Sequence, residues 1–248
     1  MNDKPTEVGA RIVRVKPAAS EIMVRYTEWL DENTKKVAKL SNGRIGYMHI
    51  RNTATDGMID FTRGFWAQSE KDALLVDERW NGGGFIQPWF VDTLNRKIHA
   101  GIQRRNGADA TDMVAVEGPK ALLINGYAGS GGDFFPYTFR QSKVGALIGK
   151  RTWGGLVGIQ GYTNLVDGGG VTAPGFAIFD RETGEIIAEN TGVAPDIDVD
   201  NRPDLVAQGR DPQLEKAVEY LLDQLKKWPG KPQRKAFPKL NKDAKIGN

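Results

Sequence analysis

Two apolar runs, Ala73-Leu74-Leu75-Val76-Asp77 and Ala121-Leu122-Leu123-Ile124, each end in a glycine-rich corner that opens into a helical pattern. An apolar run without polar alternation reads as a strand covered on both faces, and strands that alternate with helices require crossover connections in a mostly parallel sheet. The same reading gives a strand over residues 45–50 and helices over 20–40, 58–67, 88–96 and after Ser130. In the first helix Ile22, Tyr26, Trp29, Leu30 and Val37 form a stripe, and in a last one over 212–227 Leu214, Val218, Leu221, Leu222 and Leu225 do so. From 144 onward short apolar runs (144–149, 158–166, 170–172, 176–180, 185–187) alternate with Gly, Asp and Thr and read as hairpins. The expected class is therefore α/β, a mixed sheet with crossover helices and a hairpin-rich second half.

Ligands of such sheets bind beyond the carboxyl ends of the strands, where both glycine corners lie. In Tyr127-Ala128-Gly129-Ser130-Gly131-Gly132-Asp133, a turn between strand and helix can lift the Ser130 hydroxyl clear of the backbone, at a helix start whose amides favour developing negative charge. Ser130 is the candidate nucleophile, although serine is also a favoured N-cap residue. The other corner, Arg79-Trp80-Asn81-Gly82-Gly83-Gly84, lets backbone amides approach a ligand with no Cβ in the way. Acyl transfer needs donors for an oxyanion, and the expected pair is the amides of Gly83 and Gly131, with Gly82 and Gly84 beside the substrate. A tight turn or a phosphate loop is the plain alternative for the triplet, but no GxxxxGK[ST] pattern occurs.

With 248 residues, 40% of them hydrophobic, the chain can bury one sizeable core. It has no cysteine, and its two histidines, His49 and His99, are distant in sequence, so no metal site and no cofactor is expected. No run of about 18 apolar residues is present, which argues against a membrane span. The net charge of +3 is uneven: residues 226–248 hold eight Lys or Arg and one Asp, so the rest of the chain is acidic. Residues 228–248 read as a basic, disordered tail, and no nucleic-acid partner is expected.

Five ordered segments carry a resemblance: Ile45-Gly46-Tyr47, Asp77-x-Arg79-x-Asn81-Gly82-Gly83-Gly84, Tyr127-Ala128-Gly129-Ser130-x-Gly132-Asp133, Ile148-Gly149-x-Arg151-Thr152-Trp153-Gly154-Gly155 and Glu189-Asn190-x-Gly192-Val193-x-Pro195-Asp196. Together they resemble the carboxyl-terminal catalytic core of tricorn proteases, relatives of the carboxyl-terminal processing peptidases with a crotonase/Clp-like fold. The resemblance covers residues 20–227. It implies a Ser-His-Ser-Glu tetrad in which Ser130 is the nucleophile and Glu189 orients a second serine. It leaves residues 1–19, where 10–15 read as a strand, as the remnant of a preceding PDZ-like domain.

The processing peptidases use a lysine about 25 residues after the serine as general base. That position here is Gly155, and Lys150 is on the wrong alternation, so a Ser-Lys dyad is not expected. The tetrad's histidine and second serine lie upstream of the PDZ domain in the family, which makes this chain read as a carboxyl-terminal piece or a truncated product that is nearly inactive alone. His49 and His99 read as structural or surface residues, for lack of an orienting group. In the family an aspartate before a paired arginine favours basic substrates; here it falls near Gly101, before Arg104-Arg105, so a small or apolar residue suits as well. Trp80, Phe85, Trp89 and Phe90 could line an apolar pocket.

The leading expectation is a serine endopeptidase core acting on peptides or oligopeptides, cytoplasmic or alternatively periplasmic. Its partners would be the upstream domains of its parent protein and further copies in a homo-oligomer, a hexamer by resemblance. A catalytically silent ligand-binding or scaffold module on the same fold is the alternative. An acyl-CoA enzyme, also found on this fold, would have no use for Ser130 or Glu189.

Overall fold

The structure, a computed structural model, describes residues 6, 8–161 and 164–235. Its helices are α1 (Ile22–Leu40), α2 (Thr55–Gln68), α3 (Gln87–Leu94), α4 (Gly131–Gln141), α5 (Pro203–Val206) and α6 (Pro212–Lys227). The strands are β1 (Ile45–His49), β2 (Ala73–Asp77), β3 (Gly101–Ile102), β4 (Ala110–Thr111), β5 (Lys120–Ile124), β6 (Gly145–Gly149), β7 (Gly158–Gly161), β8 (Thr172–Phe176) and β9 (Ile197–Asp198). Five of them form one sheet in the order β1-β2-β5-β6-β9, every neighbour parallel. Every residue of β1, β2 and β5 is buried, as strands covered on both faces must be.

Two cores follow from the two faces. On one, α2, α3 and α4 pack Phe61, Phe65, Phe90, Phe135 and Phe139 against Met48, Leu74, Val76 and Leu122. On the other, Val37 of α1 and Leu214, Ala217, Val218, Leu221 and Leu225 of α6 cover Ile45, Tyr47, Leu75 and Leu123. The alternating strand-helix order thus gives the expected α/β class.

Several local expectations need correction. Residues 144–149 are no hairpin: β6 is the fourth strand of the main sheet, because α4 supplies a crossover that returns it parallel to β5. Among the described residues antiparallel pairing is confined to the ribbons β3-β4 and β7-β8 and a bridge between Phe179 and Ile186. Residues 10–15 form no strand and run exposed. Ile22 of the expected stripe is 74% exposed, and α1 buries only its second half. Of the expected tail, residues 236–248 lie outside the described residues, as do 162–163 in the run 158–166.

At the carboxyl end of β2 a buried polar network joins the two layers. Arg79, 1% exposed, donates through Nε and Nη2 to the Asp77 carboxylate and through Nη1 to Asp211 and Gln213 at the start of α6. Tyr47 donates to the same Asp77 carboxylate at 2.8 Å, and Asn33 of α1 donates to Tyr47. Burial opposes the Arg79 charge, but Asp77 and Asp211 outweigh it and keep the guanidinium protonated.

Candidate active site

The two glycine corners meet. The backbone carbonyl of Asn81 accepts the Gly129 N–H at 3.1 Å, and Asn125 Oδ1 accepts the N–H groups of Trp80 and Tyr127. A Cβ added to Gly83 would stand 2.8 Å from Ser130 Cβ and 3.1 Å from its Oγ. One added to Gly131 would lie 2.0 Å from Thr53 Oγ1 and 2.3 Å from the Gly84 carbonyl. Glycine is therefore required at both positions by the close approach of the other corner. Gly131→Ala is expected to cost about 1–3 kcal/mol of stability by overpacking, measurable as a lower urea midpoint at unchanged slope.

Ser130 stands at the N-cap of α4 with φ 56° and ψ −116°. This is left-handed backbone that a non-glycine residue adopts at a cost, and such strain gathers where a side chain must be aimed. Asp133 holds it there. That carboxylate, fully buried, accepts the Ser130 N–H at 2.8 Å in a capping box and also takes the Thr152 hydroxyl and the N–H groups of Gly154 and Gly155. The N-cap role of Ser130 is thus real, and it coexists with a backbone geometry that helix capping alone does not need, since N-caps ordinarily sit in extended backbone.

Glu189 reaches the same segment from the other direction. Its Oε2 accepts the N–H groups of Leu156 and Val157, each at 2.7 Å, and it is flanked by Ala188 and Asn190, both at positive φ. Residues 152–157 are consequently a strap pinned by Asp133 at one end and Glu189 at the other. Trp153 of the strap, 63% exposed, lays its ring against Gly129 and Gly155. A Cβ at Gly155 would lie 2.2 Å from that ring, so the place where a lysine base would sit is occupied by indole.

The structure thus brings Ser130, Gly83, Gly84 and Gly131 together and links Glu189 to them through the strap. Gly82 lies on the exposed side of its corner and donates to the Arg51 carbonyl. Gly101 is elsewhere, paired with Thr111 in the exposed ribbon β3-β4. Both nitrogens of His49 are engaged, with the Tyr26 hydroxyl and the Arg79 carbonyl, and burial lowers its pKa. His99 is exposed, and Lys150 pairs with Asp198. The four aromatic residues line no common pocket: Phe90 is core, while Trp80 meets Trp29, Phe85 meets Phe176 and Trp89 meets Phe61. Among the described residues no three His, Asp or Glu side chains are grouped to hold a metal, and no helix is long and apolar enough to cross a membrane.

Two residues of the site were not singled out from sequence. Asn81 donates Nδ2–H to Glu78 Oε2 at 3.1 Å while its Oδ1 accepts the Gly83 N–H at 2.8 Å. The Gly83 amide therefore already has an acceptor. Glu78 is fully buried and its Oε1 has no hydrogen-bond partner. Burial raises its pKa well above the ordinary carboxyl range, against the Asn81 hydrogen bond and with Asp133 and Asp77 adding to the rise. Because the folded state then binds the extra proton, this group's stabilising contribution is complete below the unfolded pKa of about 4.3 and is lost as pH climbs through the higher folded value. Urea titrations at successive pH values are expected to show that decline in the wild type and a flatter profile in Glu78→Gln.

Residues 44–199, which include both corners and Glu189, match the model of peptidase family S41. The chain belongs to peptidase family S41. Its S41 relatives include the tricorn protease of Thermoplasma volcanium, 38% identical over 206 residues, 83% of this chain and 20% of the relative. A tricorn protease homolog of Saccharolobus solfataricus is 39% identical over 215 residues, 86% of this chain and 20% of that protein. The crystal structure of the tricorn protease superposes with a TM-score of 0.78 at 37% identity, over 82% of this chain and 20% of that one. The chain thus spans about a fifth of the length of these relatives, and the part it shares holds the sheet and both glycine corners of the S41 fold.

Proposed function

We propose that this chain is the nucleophile-bearing core of a tricorn-like serine peptidase, cleaving peptides or oligopeptides through an acyl-enzyme at Ser130. The observation that carries the proposal is the strained Ser130 at a helix start, packed directly on Gly83 of the opposite corner. In this reading the Ser130 Oγ attacks the peptide carbonyl. The oxyanion is received by the Gly131 N–H at the start of α4 and by the Gly83 N–H, with Gly82 and Gly84 lining the approach. Glu189 keeps a second carboxylate oxygen for the group that orients the base.

Neither His49 nor His99 contacts Ser130, so the general base is assigned to a histidine outside these 248 residues. The isolated chain is then expected to hydrolyse peptides at no more than about 10³ over water, from the oxyanion site alone. A homo-oligomer and a cytoplasmic setting belong to the same proposal, by likeness to the tricorn relatives. Gly101 in its exposed ribbon supplies no acidic side chain, so a small or apolar residue before the cleaved bond suits as well as a basic one.

The test is labelling by a fluorophosphonate probe. The complete parent protein should be labelled at Ser130 and Ser130→Ala should not; absence of labelling in the complete protein would return the chain to a silent scaffold.

A further inference from the structure

Glu78 and Asn81 are buried and unexplained by the chemistry above, yet Asn81 occupies an amide assigned to the oxyanion, that of Gly83. The Asn81 side chain bridges them: Nδ2 to Glu78 Oε2, Oδ1 to the Gly83 N–H. Its main chain is bonded on both sides, with its N–H on the Glu78 carbonyl at 2.9 Å and its carbonyl accepting from the Gly129 N–H, and Gly132 is packed against its Cβ. Only the carboxamide is left to move. Beside it, the second oxygen of Glu78 is buried with no partner, a condition that costs free energy in a resting structure.

We propose that Asn81 is a latch on the oxyanion corner and Glu78 its positioning residue: in the resting state Asn81 Oδ1 holds the Gly83 N–H, and in the reacting state it turns to accept from the Glu78 carboxyl, releasing that N–H. The inference rests on the peptidase reading of the site. The exchange conserves hydrogen bonds. Gly83 N–H to Asn81 Oδ1 is broken and Glu78 Oε1–H to Asn81 Oδ1 is formed, while Asn81 Nδ2–H stays on Glu78 Oε2 to complete an acid–amide pair, and the freed Gly83 N–H takes the oxyanion. The orphaned oxygen of the resting state becomes the donor of the reacting one. The exchange requires a protonated Glu78, because a carboxylate has no hydrogen to give. The ionisable groups acting on Glu78 are Asp133, from the start of α4, and Asp77, from the end of β2; both are acidic and oppose its ionisation. Loss of that proton at high pH leaves Gly83 latched.

Two readouts test this. In glycine-¹⁵N-labelled protein, the Gly83 amide resonance should titrate with pH in the wild type and lose that titration in Glu78→Gln, which keeps an N–H donor at all pH. Identical Gly83 titrations in both would overturn the latch, whether or not the site is catalytic. In the complete enzyme, the rate of Ser130 labelling should fall on the alkaline side in the wild type and stay level in Glu78→Gln. Glu78→Leu, which has no donor, should lose about 10²- to 10³-fold in kcat with KM little changed, the effect of losing one oxyanion donor. Full kcat in folded Glu78→Leu would also overturn the proposal. A wild-type enzyme unlabelled at Ser130 would instead sink the peptidase reading, with the Gly83 titration still reporting on the latch itself.

Discussion

Ser130→Ala in the complete enzyme is expected to lower kcat for peptide hydrolysis by about 10⁶-fold, the scale on which nucleophile deletions act in serine peptidases, because no other group can form the acyl intermediate. The fold should survive the change, since Ser130 N–H, not its side chain, is what Asp133 holds at 2.8 Å. A companion variant separates strain from chemistry. Ser130→Gly relieves the positive φ and should raise stability by about 1 kcal/mol, a shift of about 2–4 °C in Tm for a domain of this size, while abolishing activity equally. A stabilised, dead Ser130→Gly would identify the backbone at 130 as strained for function. If Ser130→Ala kept its rate, the nucleophile would lie elsewhere.

The largest effect on stability is expected at Arg79. Arg79→Met removes the cation from a site that is 1% exposed and leaves the buried Asp77 carboxylate with two neutral donors, the Tyr47 hydroxyl and the backbone N–H of residue 79, so about 3–5 kcal/mol should be lost. The loss should appear as a lower denaturant midpoint. The site should feel it as well, because Arg79 begins the corner that carries Asn81 and Gly83, and its carbonyl accepts from His49. The double variant Asp77→Leu with Arg79→Met should recover part of the stability, since the fully buried Asp77 charge goes with its partner, while Asp211 keeps the Asn201 amide and the Leu214 N–H. No recovery in the double variant would mean that the pair's geometry, not its charge, holds α6 to the sheet.

Much of this architecture was legible in the residues because the signals are local. The uninterrupted apolar runs at 73–77 and 121–124 are what a doubly covered parallel strand requires, and the glycines at 83 and 131 mark where two backbones touch. The run 144–149 reads as a hairpin because its six residues carry no sign of which strand they join; pairing with β5 is decided by the α4 crossover, a tertiary fact. The aromatic residues at 80, 85, 89 and 90 flank one glycine corner, but the turn at Trp80, with φ 64°, and the onset of α3 part them: Trp80 goes to Trp29 and Phe85 to Phe176, while Trp89 and Phe90 pack together on Phe61. Glu78 could not be found at all by pattern. A glutamate between Asp77 and Arg79 reads as one of three charges at a strand end, and only the packing shows that Arg79 answers Asp77 and leaves Glu78 with an amide.

The strap at 152–157 is fastened by main-chain groups: N–H groups of Gly154 and Gly155 to Asp133, and of Leu156 and Val157 to Glu189. Peptide N–H groups are the same in every residue but proline, so apart from the Thr152 hydroxyl and the two glycines, whose Cβ atoms would meet Gly192 and the Trp153 ring, the clamp does not depend on which side chains the strap carries. The Trp153 side chain, 63% exposed, makes none of these bonds, so natural drift or design can vary the surface it presents while Asp133 and Glu189 keep their hold on the strap.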